Sequence, residues 1–117
     1  LELMFGYLFA PLAWFMGIPW NESIVAGQLL GVKTALNEFV AYLYLSDTET
    51  YQLAEKSRMI MLYALCGFAN FSSVGILLSG LSAMVPERRA DLISVSGKAL
   101  WCALLASCLT GFIIGIL

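Results

Sequence analysis

Histidine is absent from the 117 residues, and Lys, Arg, Asp and Glu together make up only 12% of them. The first absence removes the commonest general base and metal ligand. The second sets the chain apart from soluble domains, which carry roughly 25% charged residues. No Gly-rich phosphate loop and no basic stripe is present, and the formal net charge is −2. A nucleotide-binding fold and a nucleic-acid surface are therefore not indicated. Cysteine is scarce. Cys66, Cys102 and Cys108 are odd in number, show no C-x-x-C spacing and lie inside apolar runs. They read as small buried hydrophobes rather than as metal or redox groups. The first residue is Leu1 and no basic n-region precedes the first apolar stretch. A piece of a longer polypeptide, without a signal peptide, is expected.

What is present in quantity is apolar side chain: 61% of residues are hydrophobic, 13% are aromatic, and the mean hydropathy is +0.87. An all-α membrane protein is the expected fold class, because a bilayer leaves no water to satisfy an open backbone. Leu3 to Trp20 carries no charge but holds Pro11, Pro19, Gly6 and Gly17 among many aromatic rings. Breakers and interfacial aromatics favour a helix lying at the membrane surface over 1–20 rather than one crossing it. Met59 to Val85 is charge-free and long enough to span, since about 20 apolar residues suffice. Ala99 to Leu117 spans as well, and places Ser107, Gly111 and Gly115 on one face at every fourth position. Gly27 and Gly31 repeat that spacing, which permits close helix packing. Ser46 and Glu49 have the spacing of a capping box, so a helix is expected to restart there. Pro86 to Arg89 forms a loop, and the last helix is expected to begin near Asp91. Arg88, Arg89 and Lys98 outweigh Lys56 and Arg58, which favours a cytoplasmic 86–91 loop.

Two stretches are too polar for their oily surroundings. In Ile24 to Leu45, Lys33, Asn37 and Glu38 lie near the middle. A continuous helix would align Lys33 with Asn37 and Thr34 with Glu38 on one polar face. A re-entrant hairpin would instead have one arm over 23–35, a tip at 36–39 and a return by Leu45. Periodicity does not choose between the two. Glu38 is the costliest residue, at roughly 2.5 to 3.5 kcal/mol for a carboxylate at mid-helix. It requires a partner, a cavity or a substrate. A structural Lys33–Glu38 pair is one answer and an acceptor for ligand hydroxyls is the other. In the Met59–Val85 run, Gly67, Asn70, Ser72 and Ser73 lie at the centre, among Phe68 and Phe71. Either they bond to neighbouring helices, or the helix breaks there to bind something. A carboxylate, an amide, a hydroxyl and an aromatic ring together suit a sugar joined to a flat base.

NEFVAY at Asn37–Tyr42 and YALCGFANFSSVGI at Tyr63–Ile76 resemble the signature motifs of the concentrative nucleoside transporters. FGYLFAPLAWFMGIPW, LLGVKTALNEF and PERRADL fit as well, so the resemblance covers nearly the whole chain. It implies cation-coupled symport of nucleosides, driven by sodium or protons, across the plasma (inner) membrane by alternating access. It implies a homotrimer of protomers whose transport domain has two inverted repeats. This chain resembles the second repeat: an interfacial helix over 1–20, a re-entrant hairpin over 21–45, a broken transmembrane helix over 57–85 and a last transmembrane helix over 91–117. By the same resemblance Glu38 contacts the ribose, Phe68 packs on the base, and Asn70 and Ser73 reach the ribose. No cofactor is implied, and the site of the coupling ion, Na+ or H+, is expected mainly on the first repeat. The partners implied are the nucleoside and the lipid bilayer, with no nucleic acid.

Two other classes compete with that expectation. An intramembrane enzyme with Glu38 as general base would need a second acid, a histidine or a metal cluster, and none is evident. A structural membrane bundle without a substrate site is compatible with the composition alone.

Overall fold

The computed structural model describes residues Leu1–Leu117 as an all-helical chain. Helix α1 spans Glu2–Phe15, α2 Trp20–Ala35, α3 Glu38–Ser46, α4 Glu55–Ala64, α5 Phe71–Met84 and α6 Arg89–Ile116. A single 3-10 turn, Pro86–Arg88, joins α5 to α6.

Between α1 and α2 the chain turns by 117°. Gly17 takes φ +97° there, in the left-handed region that glycine enters without steric cost. Pro19 follows at φ −56° as the cap residue before α2, a value its ring already imposes. The turn lays α1 along α2 at very close range. A Cβ on Gly27 would strike the carbonyl oxygen of Gly6, and one on Gly31 would strike the Phe5 side chain. The small residues four apart thus serve the backbone approach that their spacing suggests.

The same device seats α6. A Cβ on Gly115 would strike the Met16 carbonyl oxygen, and one on Gly111 would come within 2.9 Å of the Ala64 Cβ and the Met16 Sδ. Ser107, one turn earlier, lies against Gly67. The resulting core joins Met16 and Ile18 of the turn, Leu29 and Leu30 of α2, Ile60, Met61 and Ala64 of α4, and Leu104 of α6. By contrast α5 buries none of its residues within the chain. Ile76, Leu77, Trp101, Leu105 and Ile113 on α5 and α6 are exposed, as a surface facing lipid or a further protein element would be. Only the last helix, taken with its 3-10 turn, is long and apolar enough to cross a membrane unaided.

Several local expectations need correction. Trp20 opens α2 instead of closing the first element, which ends at Phe15. Ser46 closes α3, its hydroxyl donating back to the Tyr42 carbonyl at 2.9 Å, and no helix restarts until Glu55. The Asp47 carboxylate organises that turn instead, accepting from the Glu49 and Thr50 amides at 3.2 and 3.3 Å. The last helix begins at Arg89, near Asp91 as expected, and Asp91 pairs with Arg88 at 3.3 Å on the surface. Of the three cysteines only Cys108 is buried within the chain; Cys66 and Cys102 are exposed.

Candidate functional site

Both polar interruptions coincide with breaks in the helical backbone. Leu36 and Asn37 separate α2 from α3, and residues 65–70 separate α4 from α5. Each new helix starts on an asparagine with extended backbone. Asn37 Oδ1 accepts from the Val40 amide at 3.0 Å, and Asn70 Oδ1 accepts from the Ser73 amide at 2.7 Å. Asparagine is favoured there because its short carbonyl reaches an amide that has no partner within the helix.

The two starts meet. Asn70 Nδ2 donates to Glu38 Oε2 at 2.8 Å. Glu38 is the first residue of α3 and Asn70 the cap of α5, so the carboxylate lies at the positive end of one helix and in contact with that of another. Such positions stabilise negative charge. Asn70 is 1% exposed, whereas Glu38 and Ser73 are half-buried. The carboxylate therefore keeps acceptor capacity on a side that a ligand can approach.

Phe68 does not join this cluster. It is 80% exposed and lines, with Ser73, Val74, Leu77 and Leu100, an apolar groove of about 500 Å³ between α5 and α6. The structure thus brings Glu38, Asn70 and the Ser73 backbone together, and puts Phe68 and Ser73 side by side on an open groove.

The Lys33–Glu38 pair is not formed. Lys33 is fully buried, and its Nζ donates to the Ala64 carbonyl at 2.9 Å. The break between α2 and α3 lies between the two charges and directs them to different partners. Tyr42 is a second contributor that sequence reasoning passed over: its hydroxyl donates to the Leu62 carbonyl at 2.8 Å. The available signal was that α4 must leave carbonyls without amide partners where it ends. Which donors supply them is a matter of tertiary placement.

An all-helical chain with apolar segments broken at polar residues, and with those polar residues meeting across the breaks, is the construction of a membrane carrier. The chain belongs to the Na+ dependent nucleoside transporter family, whose C-terminal model matches residues 1–115. It is 41% identical over 120 residues to the nucleoside permease NupC of Helicobacter pylori, covering 99% of this chain and 29% of that protein. It is 39% identical over 130 residues to the sodium/nucleoside cotransporter 1 of Mus musculus, covering 99% of this chain and 20% of that protein. The solved structure of CNTnw in an inward-facing substrate-bound state superposes with a TM-score of 0.89 at 40% identity, over 98% of this chain and 28% of that one. The chain thus spans less than a third of the length of these relatives. The chain belongs to a family of integral plasma-membrane transporters, not of enzymes.

Proposed function

We propose that this chain is the second inverted repeat of a longer, cation-coupled nucleoside transporter and supplies the ribose-binding half of its site. In this reading α1 lies at the interface, α2 and α3 are the arms of a re-entrant hairpin, α4 and α5 are the halves of a broken span, and α6 crosses the bilayer. The full protein is a homotrimer that works by alternating access, coupled to Na+ or H+ held mainly by the first repeat.

The observation that carries the proposal is the hydrogen bond between Asn70 and Glu38 where α3 and α5 begin. A carboxylate in an apolar setting is costly unless its oxygens are satisfied. Asn70 satisfies Oε2, and a sugar with two neighbouring hydroxyls is suited to the acceptor capacity that remains. Asn70 and Ser73 complete the ribose contacts, and Phe68 offers its exposed ring to the base. Because the carboxylate is fully satisfied only with substrate present, binding favours the closed hairpin, which couples occupancy to movement.

The test is uptake by the full-length transporter that contains this chain, comparing a labelled nucleoside with its 2′,3′-dideoxy analogue. Loss of both hydroxyls leaves buried acceptors without donors, and is expected to lower uptake efficiency by about tenfold or more. Equal handling of the two compounds, or no uptake of either, overturns the proposal. A structural bundle without a substrate site would be indifferent to both.

A further inference from the structure

The end of α4 has one carbonyl that the helix itself does not serve and that only a charged side chain reaches. Met61 O accepts from the Leu65 amide at 2.9 Å, Tyr63 O from Cys66 at 3.1 Å and Leu65 O from Gly67 at 2.8 Å. Leu62 O takes the Tyr42 hydroxyl. Ala64 O, on the last residue of α4, takes the ammonium of Lys33. Lys33 itself belongs to the last turn of α2. One buried cation therefore sits at the negative ends of two helices, just as the Glu38 carboxylate sits where two helices begin. No carboxylate shares it: the sole ion pair of the chain is the exposed Arg88–Asp91 pair. Gly67 lies beside the Lys33 ammonium: a Cβ there would be in ordinary contact with Nζ, at 3.6 Å, but would strike Ser107 Oγ on α6.

Carbonyls at the C-terminal ends of interrupted membrane helices are where broken-helix transporters coordinate free cations. We propose that Lys33 is a tethered cation in such a place, a positioning residue whose ammonium holds the α4–α5 break in the shape that presents Asn70 to Glu38. This repeat then carries its own positive charge at that point and needs no dissociable ion there. Removing the side chain to Cβ leaves the Ala64 carbonyl without its donor, and a small monovalent cation, either Na+ or a primary alkylammonium, is then expected to take the vacated place. The inference deepens the reading of the site proposed above and rests on it.

The experiment uses the full-length transporter with Lys33→Ala and Lys33→Met, assayed with and without ethylammonium and over a range of Na+. Lys33→Ala is expected to lower nucleoside uptake about tenfold or more, with a substantial part restored by ethylammonium or by raised Na+. Lys33→Met keeps an apolar stem in the space, and is expected to lose uptake without rescue. A thermal melt of the purified proteins gives a second readout that needs no transport. Ethylammonium is expected to raise the Tm of Lys33→Ala by several degrees and to leave the parent unmoved, because a ligand bound only by the folded state stabilises it. Parent-like uptake by either variant overturns the proposal. So does a loss in Lys33→Ala that neither cation reverses in uptake or in Tm, which would mark a packing role. A parent that transports no nucleoside sinks the functional reading, and the melts then decide the cation site alone.

Discussion

Asn70 serves two helices with one amide: its Nδ2 donates to Glu38 Oε2 at 2.8 Å while its Oδ1 accepts from the Ser73 amide at 2.7 Å. The start of α3 is thereby bonded to the start of α5 across 32 residues of sequence. Either contact alone would be ordinary. Together they make the position of Glu38 depend on the break in the second segment.

Replacement of Glu38 by Gln keeps an oxygen for Asn70 and removes the charge. Hydrogen bonds to charged groups contribute about 1.5–3 kcal/mol, so the KM for nucleoside uptake is expected to rise about tenfold or more. The amount of transporter in the membrane is expected to stay as it was. Uptake kinetics measured alongside surface abundance separate the two effects, and unchanged kinetics would remove Glu38 from the ribose site.

The two asparagine caps provide an internal control. Serine caps a helix about as well as asparagine, so Asn37→Ser is expected to change stability by less than about 0.5 kcal/mol. Asn70→Ser keeps a cap for α5, but the shorter side chain no longer reaches Glu38. It is expected to lower uptake about tenfold with a similarly small change in Tm. Equal effects of the two substitutions on uptake would show that capping alone matters.

Gly27→Ala and Gly31→Ala test the seam between α1 and α2. The added methyl on Gly27 meets the backbone of Gly6, which has no rotamer to give, while that on Gly31 meets the Phe5 side chain. Overpacking of this kind costs about 1–3 kcal/mol, with Gly27→Ala expected to be the worse of the two in a thermal melt. A stabilised Gly27→Ala protein would contradict the close approach.

The 47–54 loop is expected to respond to pH at both extremes. Hydrogen bonds from the Thr50 side chain and then its backbone amide hold the Asp47 carboxyl below the usual carboxylate value of 3.8. Its contribution is present above that value and is lost as pH falls below it. Burial, and then the neighbouring Glu2 carboxylate, push the Tyr51 phenol from 10.0 up to about 12. The neutral phenol donates to Glu2 Oε2 at 3.2 Å, so this contribution is complete below pH 10.0 and disappears as pH rises through about 12. Protection of the loop amides, measured against their intrinsic base-catalysed exchange rate, is expected to be greatest between those limits. Tyr51→Phe removes the alkaline limb at a cost of about 1 kcal/mol, and an unaltered alkaline limb in that variant would refute the assignment.

Much of this architecture is legible in the residues. The two polar interruptions are legible as places where a helix could break, but that Asn37 and Asn70 cap the helices that follow is not. Glycines four apart mark the faces along which backbones touch. The partner of Lys33 is not legible, since pairing it with Glu38 assumes one continuous helix and the break at Leu36 removes that geometry. Asn70 and Ser73 illustrate the same limit. Three residues apart, they would share a face of a helix, yet Asn70 stands outside α5 and bonds the Ser73 backbone rather than flanking its hydroxyl. The Ser46–Glu49 spacing fails for a local reason, because the Ser46 hydroxyl is already spent on Tyr42 and Asp47 captures the following amides.

Helix α6 has 28 residues, so it is about 42 Å long at a rise of 1.5 Å per residue, against a hydrocarbon layer of about 30 Å. Its charge-free part after Lys98, about 27 Å long at that rise, nearly fills the layer alone. With α6 crossing the bilayer as proposed above, the opening turns, with Arg89, Asp91 and Lys98, stand in the headgroups and the water as a stalk continuous with the spanning rod. A membrane-impermeant thiol reagent applied to a Ser94→Cys variant lacking the exposed Cys66 and Cys102 would react from one side of intact cells only, and which side it is would give the orientation of the whole insertion.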